Sequence, residues 1–321
     1  MNILITGIDG FVGSHLAAHF LHQGGVTIYG LVRALPPMVP LDPSIILRSA
    51  EITDPDAVRA VVTEAMPDRI FHLAGQAFVP LSIENPRGTF QTNVDGTLNL
   101  LEAVREDNVL RNKTSVLVVS SGEVYGDVTP EMLPLNELSP LRPANPYAVS
   151  KACVDMISRQ YCASFGIDVT VARPFNHLGP GQNELFVGSA FARQIAEIKL
   201  GRREPKLLVG NLEPKRDFTD VRDVVRAYAS LLDLPKREPA YNICSGRSLA
   251  IRDLLDRMLL QSGMRVEILR DPKRSRREEI AEIRGDASLL RQATGWEPKI
   301  PIEQTLRDIL SYWDTRLATG A

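Results

Sequence analysis

The chain carries only three cysteines in 321 residues. Cys153, Cys162 and Cys244 are odd in number and lack metal-ligand spacing, which argues against a disulfide framework or a bound metal and for a reducing compartment. Neither sign of charge dominates. Lys and Arg number 37 against 39 Asp and Glu, a formal net charge of -2, so no global basic field draws the protein to nucleic acid or an anionic membrane. Long apolar runs are missing too: the first strand begins at Asn2 and nothing after it is long enough to span a bilayer. With no signal peptide or membrane segment recognisable, a cytoplasmic protein is expected. Core material is ample, since 44% hydrophobic and 24% charged residues suffice for one large core plus a satellite lobe.

The N-terminus, Met1 to Leu16, reads as a short apolar strand, glycines at Gly7, Gly10 and Gly13, and then an amphipathic helix. Such a turn sets bare backbone amides and a helix N-terminus against a dinucleotide pyrophosphate. Apolar β-branched runs recur at 3–6, 27–32, 45–48, 69–73, 115–120 and 168–172, with helical periodicity at 54–65, 92–106 and 147–165 between them. That alternation predicts an α/β fold, a doubly wound parallel sheet of Rossmann type with helices on both faces. After Arg173-Pro174 the pattern loosens, and a smaller, interleaved C-terminal lobe for the substrate is expected. The division predicted is 1–172 for the dinucleotide domain, with 213–245 returning to it, and 173–212 plus 246–321 for the lobe.

Tyr147 and Lys151 stand one helical turn apart, soon after a Ser120-Ser121-Gly122-Glu123-Val124-Tyr125-Gly126 segment that follows an apolar strand. The spacing puts phenol and ammonium on one helix face, where the cation is expected to lower the phenol's pKa. Tyr147 then serves as an acid or base near neutral pH. Strand two ends in Arg33, at the place where folds preferring NAD usually put a carboxylate for the adenosine ribose. A guanidinium suits a phosphate instead, so NADP(H) is favoured over NAD(H). Leu73-Ala74-Gly75 closes the fourth strand with residues small enough for close backbone approach. Asp217 and Asp220 are expected to cap the following helix.

These features together resemble the extended short-chain dehydrogenase/reductases, whose fingerprints are Thr-Gly-x-x-Gly-Phe-x-Gly and Tyr-x-x-x-Lys, and the match runs over nearly the whole chain. The resemblance implies that Gly7, Asp9, Gly10, Phe11, Val12 and Gly13 cradle the cofactor and that Leu73, Ala74 and Gly75 lie on its adenosine side. It also implies that Asn93 shapes the active-site backbone. Ser121 would then hydrogen-bond a substrate carbonyl oxygen, with Ser120 as the fallback, while Tyr147 donates the proton and Lys151 holds the nicotinamide ribose.

The stretch from Gly210 to Tyr228 looks like the branch acting on GDP-mannose derivatives, which implies a GDP-sugar substrate. Asn176, Arg216 and Arg276 map to diphosphate contacts and Glu279 to a nucleoside contact, although Arg277 stands where that branch usually has proline. The loop from Phe175 to Gln182, with 186–195 after it, resembles the GDP-4-keto-6-deoxy-mannose reductases, as does Phe11 in the opening turn. Reduction to GDP-D-rhamnose is implied. Glu123 keeps a second reading open, because related 4,6-dehydratases carry a glutamate at this offset as a base, and a catalytically silent scaffold is the third. His177 reads as a structural loop residue. Helices 92–106 and 147–165 carry apolar residues on more than one face, among them Leu98, Leu101, Met156 and Tyr161, which predicts a homodimer through a four-helix seam.

Overall fold

A computed structural model describes residues 1–234, 240–271 and 280–319. The strands are β1 (Asn2–Thr6), β2 (Thr27–Val32), β3 (Ile46–Ser49), β4 (Arg69–His72), β5 (Ser115–Val119), β6 (Asp168–Pro174), β7 (Asn176–Leu178), β8 (Lys206–Val209), β9 (Lys215–Asp220), β10 (Ala240–Ile243), β11 (Ser248–Ala250), β12 (Glu267–Arg270) and β13 (Glu282–Ile283). Seven of them form one parallel sheet in the order β10-β6-β5-β4-β1-β2-β3. The reversal of order beside β1 opens a crevice at the carboxyl ends of β1 and β4, where a dinucleotide binds in such folds.

The sheet forms because its central strands are apolar on both faces: Ile3, Leu4 and Ile5 of β1 are all fully buried. Helix α1 (Phe11–Gln23) covers one face together with a second helix at Val221–Leu232. The other face is covered by α2 (Pro55–Ala65), whose entry is capped by the Asp54 carboxylate, and by the helices at Gly96–Glu106 and Pro146–Phe165. Helices at Val187–Lys199, Ile251–Ser262 and Ile302–Thr319 enclose a third core around Leu254, Leu306 and Trp313, and this is the smaller lobe.

The helix expected at 92–106 is in fact two pieces, a π-helical turn at Gln91–Asp95 running into the α-helix at Gly96–Glu106. Strand β9, inside the stretch 213–245, pairs with β7, β11 and β13 and not with the large sheet. It is the helix at Val221–Leu232 and β10 that rejoin the dinucleotide half. Asp220 does cap that helix, accepting from the Arg222 amide. Asp217 does not: its carboxylate is taken by the Ser245 amide and hydroxyl and by the amides of Gly246 and Gly285. Leu101 and Tyr161 are buried in the chain's own core beside the sheet, so of the seam residues named from sequence Met156 alone is strongly exposed.

Candidate active site

The crevice begins at the glycine turn. Gly7 adopts φ +66°, and a Cβ there would stand 3.0 Å from the Ala74 backbone, so β1 and the segment after β4 touch at this point. At Gly13 a Cβ would lie 2.3 Å from the Gly7 carbonyl oxygen, which is backbone and cannot swing aside. Helix α1 starts at Phe11 with Gly10 as its cap, no side chain bonded to its first amides and no acidic residue in its first turn. Those amides and the helix dipole are left for an anion, as a pyrophosphate requires. The residues therefore fit a dinucleotide.

Asp9 is buried, and its carboxylate accepts from the Met38 amide at 3.1 Å, tying the turn to the loop after β2. At the head of that loop Arg33 is exposed. Its carbonyl is held by the Ser49 hydroxyl at 3.0 Å, while nothing buries its guanidinium. Leu73 and Ala74 donate their amides to the Thr6 hydroxyl, and Gly75 lies bare beside Lys151, whose Nζ would be 3.5 Å from a Cβ there.

The residues expected to be catalytic come from two neighbouring elements. Ser121 caps a short turn at Gly122–Tyr125, its Oγ accepting from the Glu123 amide at 3.1 Å. Tyr147 and Lys151 stand on the first turns of the Pro146–Phe165 helix, which Asn145 caps through the Ala148 amide. Ser120 donates its hydroxyl to the Lys151 carbonyl at 2.9 Å and is thereby spent on packing that helix, so the fallback is not available.

Lys151 is expected to depress the Tyr147 phenol, and the structure differs. Burial pushes Tyr147 up to about 12, opposed by a hydrogen bond from Ser121 and reinforced by the nearby Glu123 carboxylate. Lys151 itself is pulled down to about 8 by burial, and its Nζ donates to the Val119 carbonyl oxygen at 2.7 Å rather than to the phenol. Taking each group out of water disfavours its charged form and dominates both shifts. The phenol is held neutral, the form that can give up a proton.

Asn93 is buried in the π-helical turn and bonds the backbone of Gln76 through both ends of its amide. On the lobe side, Asn176 is exposed in β7 opposite Phe218, two residues along β9 from Arg216. Arg216 is nearly buried, and its Nη1 donates to the carbonyls of Lys215 and Ile280. Arg276, Arg277 and Glu279 lie outside the described residues. His177, expected as a loop residue, lies in β7; it stacks on Phe11 with ring centroids 6.0 Å apart, and its Nδ1 bonds the Phe175 carbonyl. Among the described residues no group of three or more His, Cys, Asp or Glu is placed to hold a metal ion, and no helix is long and apolar enough to cross a membrane.

Two features of the site are invisible in local sequence. Phe78, after β4, meets Phe186, at the start of the Val187–Lys199 helix, edge to face at 6.0 Å, joining the dinucleotide half to the lobe. The buried imidazole of His72 ends β4 and bonds Thr6. A lone polar residue in an apolar run gives no local signal of either partner.

The family model for GDP-mannose 4,6-dehydratase matches residues 4–309. The chain is 40% identical over 315 residues to the GDP-6-deoxy-D-mannose reductase of Pseudomonas aeruginosa, covering 98% of each. To the GDP-mannose 4,6-dehydratase of Yersinia enterocolitica it is 30% identical over 349 residues, covering 96% of this chain and 92% of the other. The solved structure of RMD from Pseudomonas aeruginosa complexed with NADPH matches with a TM-score of 0.85 at 38% identity, covering 98% of this chain and 100% of that one. With the glycine cradle, the Tyr147 and Lys151 pair and a match spanning almost every residue, the chain belongs to the GDP-mannose 4,6-dehydratase family of extended short-chain dehydrogenase/reductases.

Proposed function

We propose that the protein is an NADPH-dependent reductase that converts the C4 keto group of GDP-4-keto-6-deoxy-D-mannose to the alcohol of GDP-D-rhamnose, acting in the cytoplasm as a homodimer. The observation that carries this reading is the Tyr147 phenol, buried, neutral and hydrogen-bonded to Ser121 beside the dinucleotide crevice. When bound, the reduced nicotinamide supplies the hydride. Ser121 donates a hydrogen bond to the carbonyl oxygen, and Tyr147 passes its proton to that oxygen as negative charge develops there. Lys151, with one N–H on Val119 and two to spare, holds the ribose. Asn176, Arg216 and Arg276 take the diphosphate and Glu279 the nucleoside.

One observation favours a GDP-mannose-type 4,6-dehydratase as the second reading: the Glu123 carboxylate shares the site with the Tyr147 phenol, whose pKa its charge raises. In the reductase the same charge has another use, since it keeps Tyr147 protonated. Incubation with GDP-4-keto-6-deoxy-mannose and NADPH is expected to yield GDP-rhamnose with equimolar NADPH oxidation. Formation of the keto sugar from GDP-mannose with no reductant added would establish the dehydratase instead.

Arg33 sets the choice of cofactor. Arg33→Ala is expected to weaken NADPH about tenfold to a hundredfold while leaving NADH unchanged, as loss of charge-assisted hydrogen bonds to one phosphate implies. Steady-state KM values for the two cofactors measure it.

Because burial lowers Lys151 to about 8, its ammonium is intact at neutral pH and lost as pH rises through that value. NADPH affinity is therefore expected to fall above pH 8 in a fluorescence titration, and Lys151→Met to flatten the profile. For the dimer, Met156 is exposed on the Pro146–Phe165 helix and Phe165 ends it, partly exposed. Sedimentation velocity is expected to show a twofold mass that Met156→Glu halves.

A further inference from the structure

We infer that His72 is a positioning residue for this reaction: its imidazole ties the dinucleotide turn to the π-helical segment that sets Lys151 and Tyr147. The inference rests on the proposed roles of those two residues. His72 ends β4 with 3% of its surface exposed. Its Nδ1 lies 2.8 Å from the Thr6 hydroxyl, and its Nε2 lies 3.1 Å from the Thr97 hydroxyl.

The protons in this chain have only one arrangement. The Asn93 carbonyl can only accept, and the Thr97 hydroxyl donates to it at 2.6 Å. Thr97 has no second proton, so it must accept from His72, which places the ring hydrogen on Nε2. Nδ1 is then an acceptor and takes the Thr6 hydroxyl proton. The Thr6 oxygen accepts in turn from the amides of Leu73 and Ala74, at 3.2 and 3.1 Å. Burial drives the imidazole down to about 3, with the Lys151 charge adding to the effect, so the ring stays neutral across the working range.

The chain continues past Asn93 into the catalytic helix. The Asn93 side-chain amide donates to the Ser150 hydroxyl at 2.9 Å, and Ser150 donates to the Tyr147 carbonyl at 2.7 Å. The Asn93 Oδ1 meanwhile accepts from the Gln76 amide at 2.7 Å and stands 3.0 Å from the Cβ position of Gly75, close to Lys151. One unbroken run of hydrogen bonds thus leads from the end of β1, where the pyrophosphate turn begins, to the turn bearing Tyr147 and Lys151. A π-helical turn interrupts the i→i+4 ladder of the helix it enters, here with the Gly96 amide bonded to the Gln91 carbonyl. The Thr97 and His72 bonds fix the height of this turn, and they set how far the phenol stands from the cofactor crevice.

His72 touches neither substrate nor cofactor, so its loss should alter the rate more than binding. In His72→Leu the chain is cut, and kcat is expected to fall by on the order of tenfold to a hundredfold, the loss that follows a displacement near 1 Å. KM for the GDP-sugar should hold, and the midpoint of the pH profile for NADPH binding should move. His72→Gln keeps an acceptor and a donor on one side chain, and it should recover much of the rate. In the cofactor-free protein, imidazole nitrogen NMR is expected to report the Nε2–H tautomer at neutral pH, whether or not the leucine variant folds.

A purely structural His72 would lower thermal stability but leave kcat per folded molecule and the pH midpoint unmoved, and that result, or an Nδ1–H tautomer, overturns the inference. Tyr147→Phe run in parallel separates the layers. If Tyr147→Phe is inactive and both His72 variants turn over at the parent rate, this inference alone fails. Full activity in Tyr147→Phe removes the reading of the site, and with it this one.

Discussion

Tyr147→Phe is expected to lower kcat by about 10²–10⁴-fold, the contribution of a placed general acid, while NADPH binds as before. The substitution keeps the ring in its buried position and removes only the oxygen that Ser121 bonds and that faces the Glu123 carboxylate. Ser120 cannot take over the proton transfer, because its hydroxyl is committed to the Lys151 carbonyl. Ser121 remains to polarise the substrate oxygen, so a residual rate above the uncatalysed one is expected. Single-turnover NADPH oxidation with the keto sugar, beside a calorimetric NADPH titration, measures both quantities. A rate within about tenfold of the parent would mean that the proton comes from elsewhere.

The parts of this site that the sequence discloses are those built from contiguous residues. The Gly7, Gly10 and Gly13 spacing declares its turn because a side chain at Gly13 would strike the Gly7 carbonyl, a local clash. Tyr147 and Lys151 share a face through helical geometry alone. The six strands expected in the first half are found because a parallel strand buried on both faces is a continuous apolar run. Strand β9 carries Lys, Arg and two Asp in six residues, and nothing in that pattern predicts burial. It is buried because Asp217 finds Ser245, Gly246 and Gly285, all far along the chain. The sign of the Tyr147 shift is hidden for the same reason: spacing reveals the neighbouring ammonium, but desolvation by the assembled fold is larger. Likewise, of the apolar residues on two faces of the 92–106 and 147–165 segments, Leu101 and Tyr161 turn inward into the chain's own core while Met156 stays exposed, a division that spacing alone does not reveal.

Asp155→Leu is expected to destabilise the protein by about 3–5 kcal/mol, the cost of leaving a buried charge without its partner. Asp155 lies one turn beyond Lys151 on the Pro146–Phe165 helix and is fully buried. Its carboxylate grips the Arg173 guanidinium of β6 at 2.6 and 3.1 Å, and Arg159 reaches it at 2.8 Å. Arg173, only 2% exposed, also donates to the Tyr125 hydroxyl and the Glu137 carbonyl. Tyr125 has one proton and gives it to Asn242 at 2.6 Å. Burial raises that phenol to about 12, so it cannot become the anion that would replace Asp155 opposite Arg173. The cluster joins the helix that presents Tyr147 to β6, β10 and the loop at 135–137, anchoring that helix at its middle. If the penalty comes from the orphaned guanidinium, Asp155→Leu with Arg173→Met should be more stable than Asp155→Leu alone, since an apolar pair of similar volume has no charge to desolvate. Urea denaturation of the three proteins tests the sign. A double variant less stable than the single one would show that Arg173 holds β6 through Tyr125 and Glu137, and that Asp155 is the lesser partner.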